Sequence, residues 1–363
     1  MNYKKRIIHL QKLLSQKKLD AFLVTNPSNI FYLTGFKGVS PTEKETIALI
    51  DKSGLILFSP KLYQSETKEL GINNHFKVEI IRERNLLLSK PVIKYFKGKT
   101  IGFESESISF SEYSYIKNLS KIILKPTKNI IENLRLVKDK YEIEYVKTAV
   151  KITDNIFTQI KEEIKPGLTE KQIARRLVEL MERLGADGPS FEPIVASDVN
   201  SSLPHYVTSN NKIKKGILLI DAGARYKGYN ADLTRTFYLG DPDSRFIKSY
   251  NLVLFAQKSA IEKTQEGVKE EEVWTLAVKL LGKVAKYFTH GLGHGIGIDV
   301  HESPYLRKGC YQPLKENMLV TIEPGLYFPN WGGIRIEDYI QITKKTNIIL
   351  SKSPKNIEDI VIK

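Results

Sequence analysis

The 363-residue chain predicts an α/β domain followed by an α+β domain built on an internal repeat. Three observations carry this prediction. Short apolar strand patterns alternate with helical patterns through the first third of the chain. A long amphipathic helix pattern then begins. Beyond it, two helix-and-hairpin segments align without a gap at an offset of 100 residues. The length is enough for two domains, and 41% hydrophobic with 27% charged residues is an ordinary globular composition.

In MNYKKRIIHLQKLL, residues Ile7, Leu10, Leu13 and Leu14 share one helical face, and the stretch lacks the apolar core and cleavage site of a signal peptide. DAFLVT (20–25), TIALI (46–50) and GLILFS (54–59) read as buried or half-buried strands. LKPTKN (124–129) has the proline and polar residues of a linker, so the domains are expected at 1–126 and 127–363. The second opens with a long helix carrying Ile143, Val146, Val150 and Phe157 on its apolar face. KPGLTEKQIARRLVEL (165–180) then matches QEGVKEEEVWTLAVKL (265–280), pairing Gly167 with Gly267, Glu170 with Glu270, and Ile173 with Val273. Each copy reads as a turn entering an amphipathic helix. After each comes a hairpin pattern, at 216–240 and at 318–342.

No apolar run approaches the ~18 residues of a membrane span. A single cysteine, Cys310, precludes an internal disulfide framework, and the cytoplasm is the expected location. The formal net charge of +15 invites a nucleic-acid partner. Against that, the lysines are dispersed, with no basic run of five and no binding module, so neither a nucleic acid nor a membrane is expected as partner.

Residues 289–304, THGLGHGIGIDVHESP, hold three of the six histidines in the chain. His301-Glu302 is not followed by the second histidine of a zinc-protease helix, and Gly291, Gly293, Gly295 and Gly297 alternate too strictly for a dinucleotide loop. Such glycines predict extended backbone approached closely by a ligand or another strand. His294 and His301 would then project into a shared site. Each hairpin also carries two acids within apolar sequence, Asp221 with Asp232 and Glu323 with Glu337. An unpaired buried carboxylate is costly. Arg235 and Arg335 could neutralise them, or the acids could face water, but four acids at repeat-equivalent places beside a histidine-rich segment favour bound cations. Four carboxylates and one imidazole, without a thiolate, suit two divalent ions held mainly through oxygen, Mn²⁺ first, with Co²⁺, Fe²⁺ or Zn²⁺ as alternatives.

These motifs resemble those of the pita-bread metallopeptidases, and among them the Xaa-Pro aminopeptidases and Xaa-Pro dipeptidases (prolidases). DAFLVTNPSNIFYLTGF (20–36) is similar to their creatinase-type N-terminal domain, and NLRLVKDKYEIEYVKTA (133–149) to the start of their catalytic domain. LPHY, DAGARYKGYNADLTRTF, HGLGHGIGIDVHE, TIEPGLYF and GGIRIED follow in the family's order. The resemblance implies a creatinase-type domain joined to a pita-bread domain with a pseudo-twofold repeat. It also implies Asp221, Asp232, His294, Glu323 and Glu337 as metal ligands, with Asp232 and Glu337 bridging the ions. By the same resemblance Glu323 is the proton shuttle, His301 stabilises the tetrahedral intermediate, and His205 orients the substrate. Arg335 and Thr234, two residues from Glu337 and Asp232, are expected to orient those ligands. Tyr229, at the hairpin turn, would reach the site or merely pack.

The expected activity is that of an Xaa-Pro aminopeptidase, hydrolysing short proline-containing peptides through a water shared by the two ions. An X–Pro amide has no N–H, which excludes peptidases that need that donor. A dipeptidase is the alternative. Some prolidases carry an arginine four positions after the histidine matching His301, for the carboxylate of a dipeptide. This chain has Tyr305 there, with Arg307 as a substitute two residues on. Methionine aminopeptidases share the metal set but typically lack the N-terminal domain, and a non-catalytic scaffold is disfavoured because every ligand type is present. The resemblance further implies a homodimer.

Overall fold

The apolar stretches at 20–25, 46–50 and 54–59 form adjacent strands of one six-stranded sheet. The computed structural model describes residues 1–39, 43–83, 85–119 and 122–363, and these fall into two units, Met1–Arg135 and Leu136–Lys363. In the first unit the strands are β1 (Ala21–Val24), β2 (Ile47–Asp51), β3 (Gly54–Pro60), β4 (Lys77–Ile81), β5 (Thr100–Glu104) and β6 (Ile123–Thr127). Their order is β4-β3-β2-β1-β5-β6, with β2 antiparallel to both neighbours and the other pairs parallel. Every residue of β1 is buried, as expected for a central strand covered on both faces. The helices are α1 (Tyr3–Gln16), α2 (Pro27–Thr34), α3 (Gln64–Asn74), α4 (Lys90–Phe96), α5 (Phe110–Asn118) and α6 (Glu132–Arg135). Helix α1 buries Ile7, Leu10 and Leu14, while Leu13 is only half-buried.

The linker expected at 124–129 is instead mostly strand β6, which pairs with β5. Pro126 is accommodated because β6 lies at the sheet edge, where a missing N–H need not break the ladder. The first unit therefore continues to Arg135 rather than ending at residue 126.

The second unit runs α7 (Lys140–Glu163), α8 (Glu170–Arg183), β7 (Gly188–Pro189), β8 (Ile194–Ser197), β9 (Gly216–Ala222), β10 (Ala224–Tyr226), β11 (Tyr229–Asn230) and β12 (Leu233–Leu239) in its first half. The second half runs α9 (Ser244–Lys263), α10 (Glu270–Leu281), β13 (Gly293–Gly295), β14 (Glu302–Leu306), β15 (Leu319–Ile322), β16 (Gly325–Phe328), β17 (Gly332–Arg335), β18 (Asp338–Gln341), β19 (Ile348–Ile349), α11 (Ile357–Ile360) and β20 (Val361–Ile362). Each half thus offers a long helix, a shorter one and a hairpin, β9/β12 in one and β15/β18 in the other. Asp139 starts α7 through a capping box with Glu142, a device that contributes about 1 kcal/mol. Ile143, Val146, Val150 and Phe157 of α7 are buried as the pattern predicts. One core joins Ile156, Ile160, Leu177, Leu180, Leu218 and Ile220, and a second joins Val273, Ala277, Val320, Ile322 and Ile340. No described helix is long and apolar enough to cross a membrane.

Candidate metal centre

The four acids sit at the ends of the two hairpins, where the paired strands stop and side chains can converge. Asp221 lies on β9 and Asp232 just before β12, while Glu323 follows β15 and Glu337 precedes β18. The hairpins are joined across the centre. Thr234 Oγ1 donates to Glu337 Oε2 at 2.9 Å, and the Glu337 amide donates to the Thr234 carbonyl at 3.2 Å. His294 arrives on β13, which is hydrogen-bonded between β14 and β15. A Cβ at Gly293 would lie 1.9 Å from the Thr321 carbonyl oxygen, and one at Gly295 2.2 Å from that of Ser303. These glycines therefore admit neighbouring strands, and that close packing aims His294 at the acids.

Ligand atoms of Asp221, Asp232 and Glu337 lie within 4.8 Å of one another, as do those of His294, Glu323 and Glu337. A third group of the same size joins Asp232, His294 and His301. Arg335 Nη2 donates to Asp221 Oδ2 at 2.7 Å. Arg235, the other cation considered for these acids, instead donates to Asp338 Oδ1 at 2.7 Å and to the backbone carbonyls of Thr234, Glu337, Ser353 and Pro354. Burial pushes the Asp232 carboxyl well above its usual range, and the charges of Glu337, Asp221 and Glu323 push it further. Glu337 is raised in the same way, by burial and then by Glu323 and Asp221. Glu323 is raised to about 7, chiefly by burial.

Crowding of this kind can be relieved by bound cations. Asp221 Oδ1, Asp232 Oδ1 and Glu337 Oε1 are buried without a hydrogen-bond partner, and all three belong to the convergent cluster. A cation takes the place of the missing donor at such oxygens. His294 is suited to the same task. Its Nδ1 lies 3.0 Å from the Gly295 carbonyl, which fixes the proton there and leaves the Nε2 lone pair toward Glu323 at 3.4 Å and Asp232 at 3.7 Å. Burial, and then the nearby His301, lowers its pKa to about 3, so the ring is neutral. Four carboxylates and a neutral imidazole fit two divalent ions.

Around the acids lies a cleft of 520 Å³, lined by His205, Asp221, Asp232, His294, His301, Tyr305, Arg307, Glu323, Arg335 and Glu337. Phe191, Ile194 and Val300 supply an apolar wall. The rings of His294 and His301 are edge to face, with centroids 4.2 Å apart. Three residues singled out from the sequence take the following partners. Thr234 is buried beneath the cleft and its side chain serves Glu337 rather than Asp232. Tyr229 does not line the cleft: it is buried, and its hydroxyl donates to Glu142 Oε1 at 3.1 Å, tying the hairpin to α7. Arg335 ends β17, so Glu337 lies beyond the strand, and the guanidinium reaches Asp221 on the opposite hairpin instead.

Two further residues belong to the site although their types and positions had suggested no role. Arg335 Nη1 donates to the Tyr327 hydroxyl at 2.8 Å, and Tyr327 in turn meets His290 Nε2 at 2.8 Å. His290 Nδ1 faces the Gly291 carbonyl at 2.7 Å, so Nε2 is the acceptor for Tyr327. The chain Asp221–Arg335–Tyr327–His290 thereby buttresses one flank of the acid cluster. The four-residue step from His290 to His294 was the available signal for His290; nothing in the sequence distinguished Tyr327 from a core tyrosine.

A buried set of four carboxylates on duplicated hairpins, joined by one neutral imidazole from β13, defines a candidate metal-dependent enzyme. The chain belongs to metallopeptidase family M24, whose pattern matches residues 144–344, and residues 6–137 match the creatinase/prolidase N-terminal domain. It is 33% identical over 358 residues to the Xaa-Pro dipeptidase of Pyrococcus furiosus, covering 98% of this chain and 99% of that one. The solved structure of an Xaa-Pro dipeptidase from Bacillus anthracis superposes with a TM-score of 0.91 at 32% identity, over 99% of this chain and 100% of that one. An X-Pro aminopeptidase structure from Thermotoga maritima gives a TM-score of 0.88 at 32% identity, over 98% and 99% of the two chains. The fold is accordingly a creatinase-type N-terminal domain followed by the pita-bread catalytic domain.

Proposed function

We propose that this metallopeptidase is an Xaa-Pro dipeptidase working with two divalent ions, Mn²⁺ being the first candidate. The observation that carries this reading is Arg307. The aminopeptidase expectation rested on Tyr305 standing where an arginine would bind the dipeptide carboxylate. Arg307 nevertheless lines the cleft with Tyr305 and His301, its guanidinium carbon 5.0 Å from the centre of the Tyr305 ring. A guanidinium is a bidentate partner for a free carboxylate. The Xaa-Pro dipeptidases among the relatives support the same choice.

Bound ions would supply the charge that acidifies an attacking water and polarises the scissile carbonyl. The protein groups do the rest. Asp221, Asp232, His294, Glu323 and Glu337 are the proposed ligands. Glu323 takes the proton of the attacking water and returns it to the leaving proline nitrogen. His301 and His205 hydrogen-bond to the oxygen that gains charge. Arg307 holds the proline carboxylate, and Phe191, Ile194 and Val300 exclude water from the apolar ring. The single Cys310 suits the reducing cytoplasm, and a homodimer is proposed on the family resemblance.

The test is hydrolysis of Ala-Pro, Ala-Pro-Ala and Ala-Ala-Ala by metal-stripped protein with and without added Mn²⁺. Metal-dependent cleavage of Ala-Pro alone is the expected result. Equal kcat/KM on Ala-Pro-Ala would return the assignment to an aminopeptidase, and silence on all three would favour a binding scaffold.

A further inference from the structure

Glu170 and Glu270, paired by the internal repeat, are both buried and neither lines the metal cleft. Each is the first residue of its helix, α8 or α10. Around them the backbone repeats bond for bond. The amides of Gly167, Glu170 and Lys171 donate to the carbonyls of Ile213, Asn211 and Ser209, and those of Gly267, Glu270 and Glu271 donate to Leu314, Gln312 and Cys310. Each helix start therefore holds the loop that leads into the following hairpin. Both segments reach the cleft lining: the first brings Pro204 and His205, and the second, with the end of β14, brings Arg307 and Tyr305.

The side chains differ in how much they hold. Glu270 accepts from the amide of Gln312 at 3.0 Å and from the backbone of Tyr305. Glu170 accepts far more. Its Oε1 takes the Ser197 amide at 2.9 Å, the Ser197 hydroxyl at 2.7 Å and the Asn200 amide group at 3.0 Å. Its Oε2 takes the Tyr206 hydroxyl at 2.9 Å, and the Ser209 amide and hydroxyl at 3.2 and 2.9 Å. Burial opposes its charge, but these bonds, led by those from Asn200 and Ser197, hold the carboxyl below the usual range. An ionised hub with six donors spans the loop on both sides of His205. Next to His205, Arg335 Nη1 also donates to the Pro204 carbonyl at 3.3 Å, and the Tyr206 amide to the Leu203 carbonyl at 3.2 Å.

We propose that Glu170 is a positioning residue for His205: it does not touch substrate, but its carboxylate clamps residues 197–209 so that an exposed loop presents the imidazole at a fixed place in the cleft. A catalytic side chain must be held to within about 0.5 Å to act, and a surface loop does not supply that precision by itself. The inference rests on the Xaa-Pro peptidase reading for its kinetic test, but not for its spectroscopic one.

The experiment is a double-mutant cycle on the full-length Mn²⁺-loaded protein with Ala-Pro, comparing Glu170→Ala, His205→Ala and the pair. Glu170→Ala is expected to lower kcat by about tenfold or more with little change in KM, and to cost less than about twofold once His205 is already gone. Losses that multiply in the double variant would make Glu170 a general stabiliser and overturn the proposal. Should Glu170→Ala not fold, Tyr206→Phe removes one clamp donor, and a smaller loss that vanishes in the His205→Ala background is expected; multiplying losses again overturn it. The ring resonance of His205, assigned through His205→Ala, is read in parallel by NMR with diamagnetic Zn²⁺ in place of Mn²⁺, whose paramagnetism would broaden it away. It is expected to shift or broaden in Glu170→Ala or Tyr206→Phe, and an unchanged signal overturns the proposal even if the wild type hydrolyses no Xaa-Pro peptide, an outcome that would separately remove the peptidase reading.

Discussion

Asp338→Asn tests whether the polar hub behind the metal centre holds the catalytic domain together. Asp338 is 1% exposed, and its Oδ1 accepts from Arg235 at 2.7 Å and Ser351 at 2.8 Å. Its Oδ2 accepts from Gln257 at 2.8 Å and from Lys355. Burial alone would raise this carboxyl, but the charges of Arg235 and Lys355 outweigh it and bring the pKa down to about 2 from 3.8. A folded value below the unfolded one stabilises the fold above about pH 4, by roughly 2 kcal/mol, and that contribution disappears as the pH falls toward 2. Substitution by asparagine also strands the Arg235 guanidinium, itself 1% exposed, without its counter-ion. Breaking a buried pair in this way costs about 3–5 kcal/mol. Both tryptophans, Trp274 and Trp331, lie in the second unit, so urea unfolding followed by their fluorescence reports on that unit alone. The expected result at pH 7 is a loss of at least about 3 kcal/mol, together with a weaker acid dependence between pH 4 and 2. A loss below about 1 kcal/mol would mean that the backbone carbonyls satisfy Arg235 by themselves, and would refute the reasoning.

Replacing Arg335 by alanine removes the donor to Asp221, Tyr327 and Thr234; a metal titration should show affinity weakened by about 10–100-fold, and unchanged affinity would deny it an orienting role. Arg307→Ala is expected to raise KM for Ala-Pro by about tenfold or more while leaving the prolinamide analogue unaffected, since only the free carboxylate offers a charged partner. His301→Ala should lower kcat on Ala-Pro by about 10²–10³-fold with the metal content retained. If KM rises instead with kcat intact, the histidine binds substrate without stabilising the transition state.

Much of this site was legible because the chain states it twice. An acid within an apolar strand is ambiguous, but Asp221, Asp232, Glu323 and Glu337 occupy matching places in two hairpins, and that duplication is visible without coordinates. The glycine pattern foretold close approach around His294 without saying what approaches; the Thr321 and Ser303 carbonyls, not a ligand, occupy the space. Residue spacing failed where strands end. Arg335, two residues from Glu337, was expected to orient that ligand, yet β17 stops between them and the guanidinium crosses to the other hairpin. The partners that Arg235 and Tyr229 do take, Asp338 and Glu142, are 103 and 87 residues away, beyond the reach of any local pattern. The proline that suggested a linker is equally at home on an edge strand, and only the pairing of β6 with β5 decides between the two.

The most direct test of the account is X-ray diffraction from crystals soaked in Mn²⁺, with anomalous differences collected near the manganese absorption edge. Two anomalous peaks among Asp221, Asp232, His294, Glu323 and Glu337, with at least one lost in Asp232→Asn, are the predicted result. Peaks elsewhere, or none in this cluster at saturating metal, would contradict a dinuclear centre and with it the proposed peptidase chemistry.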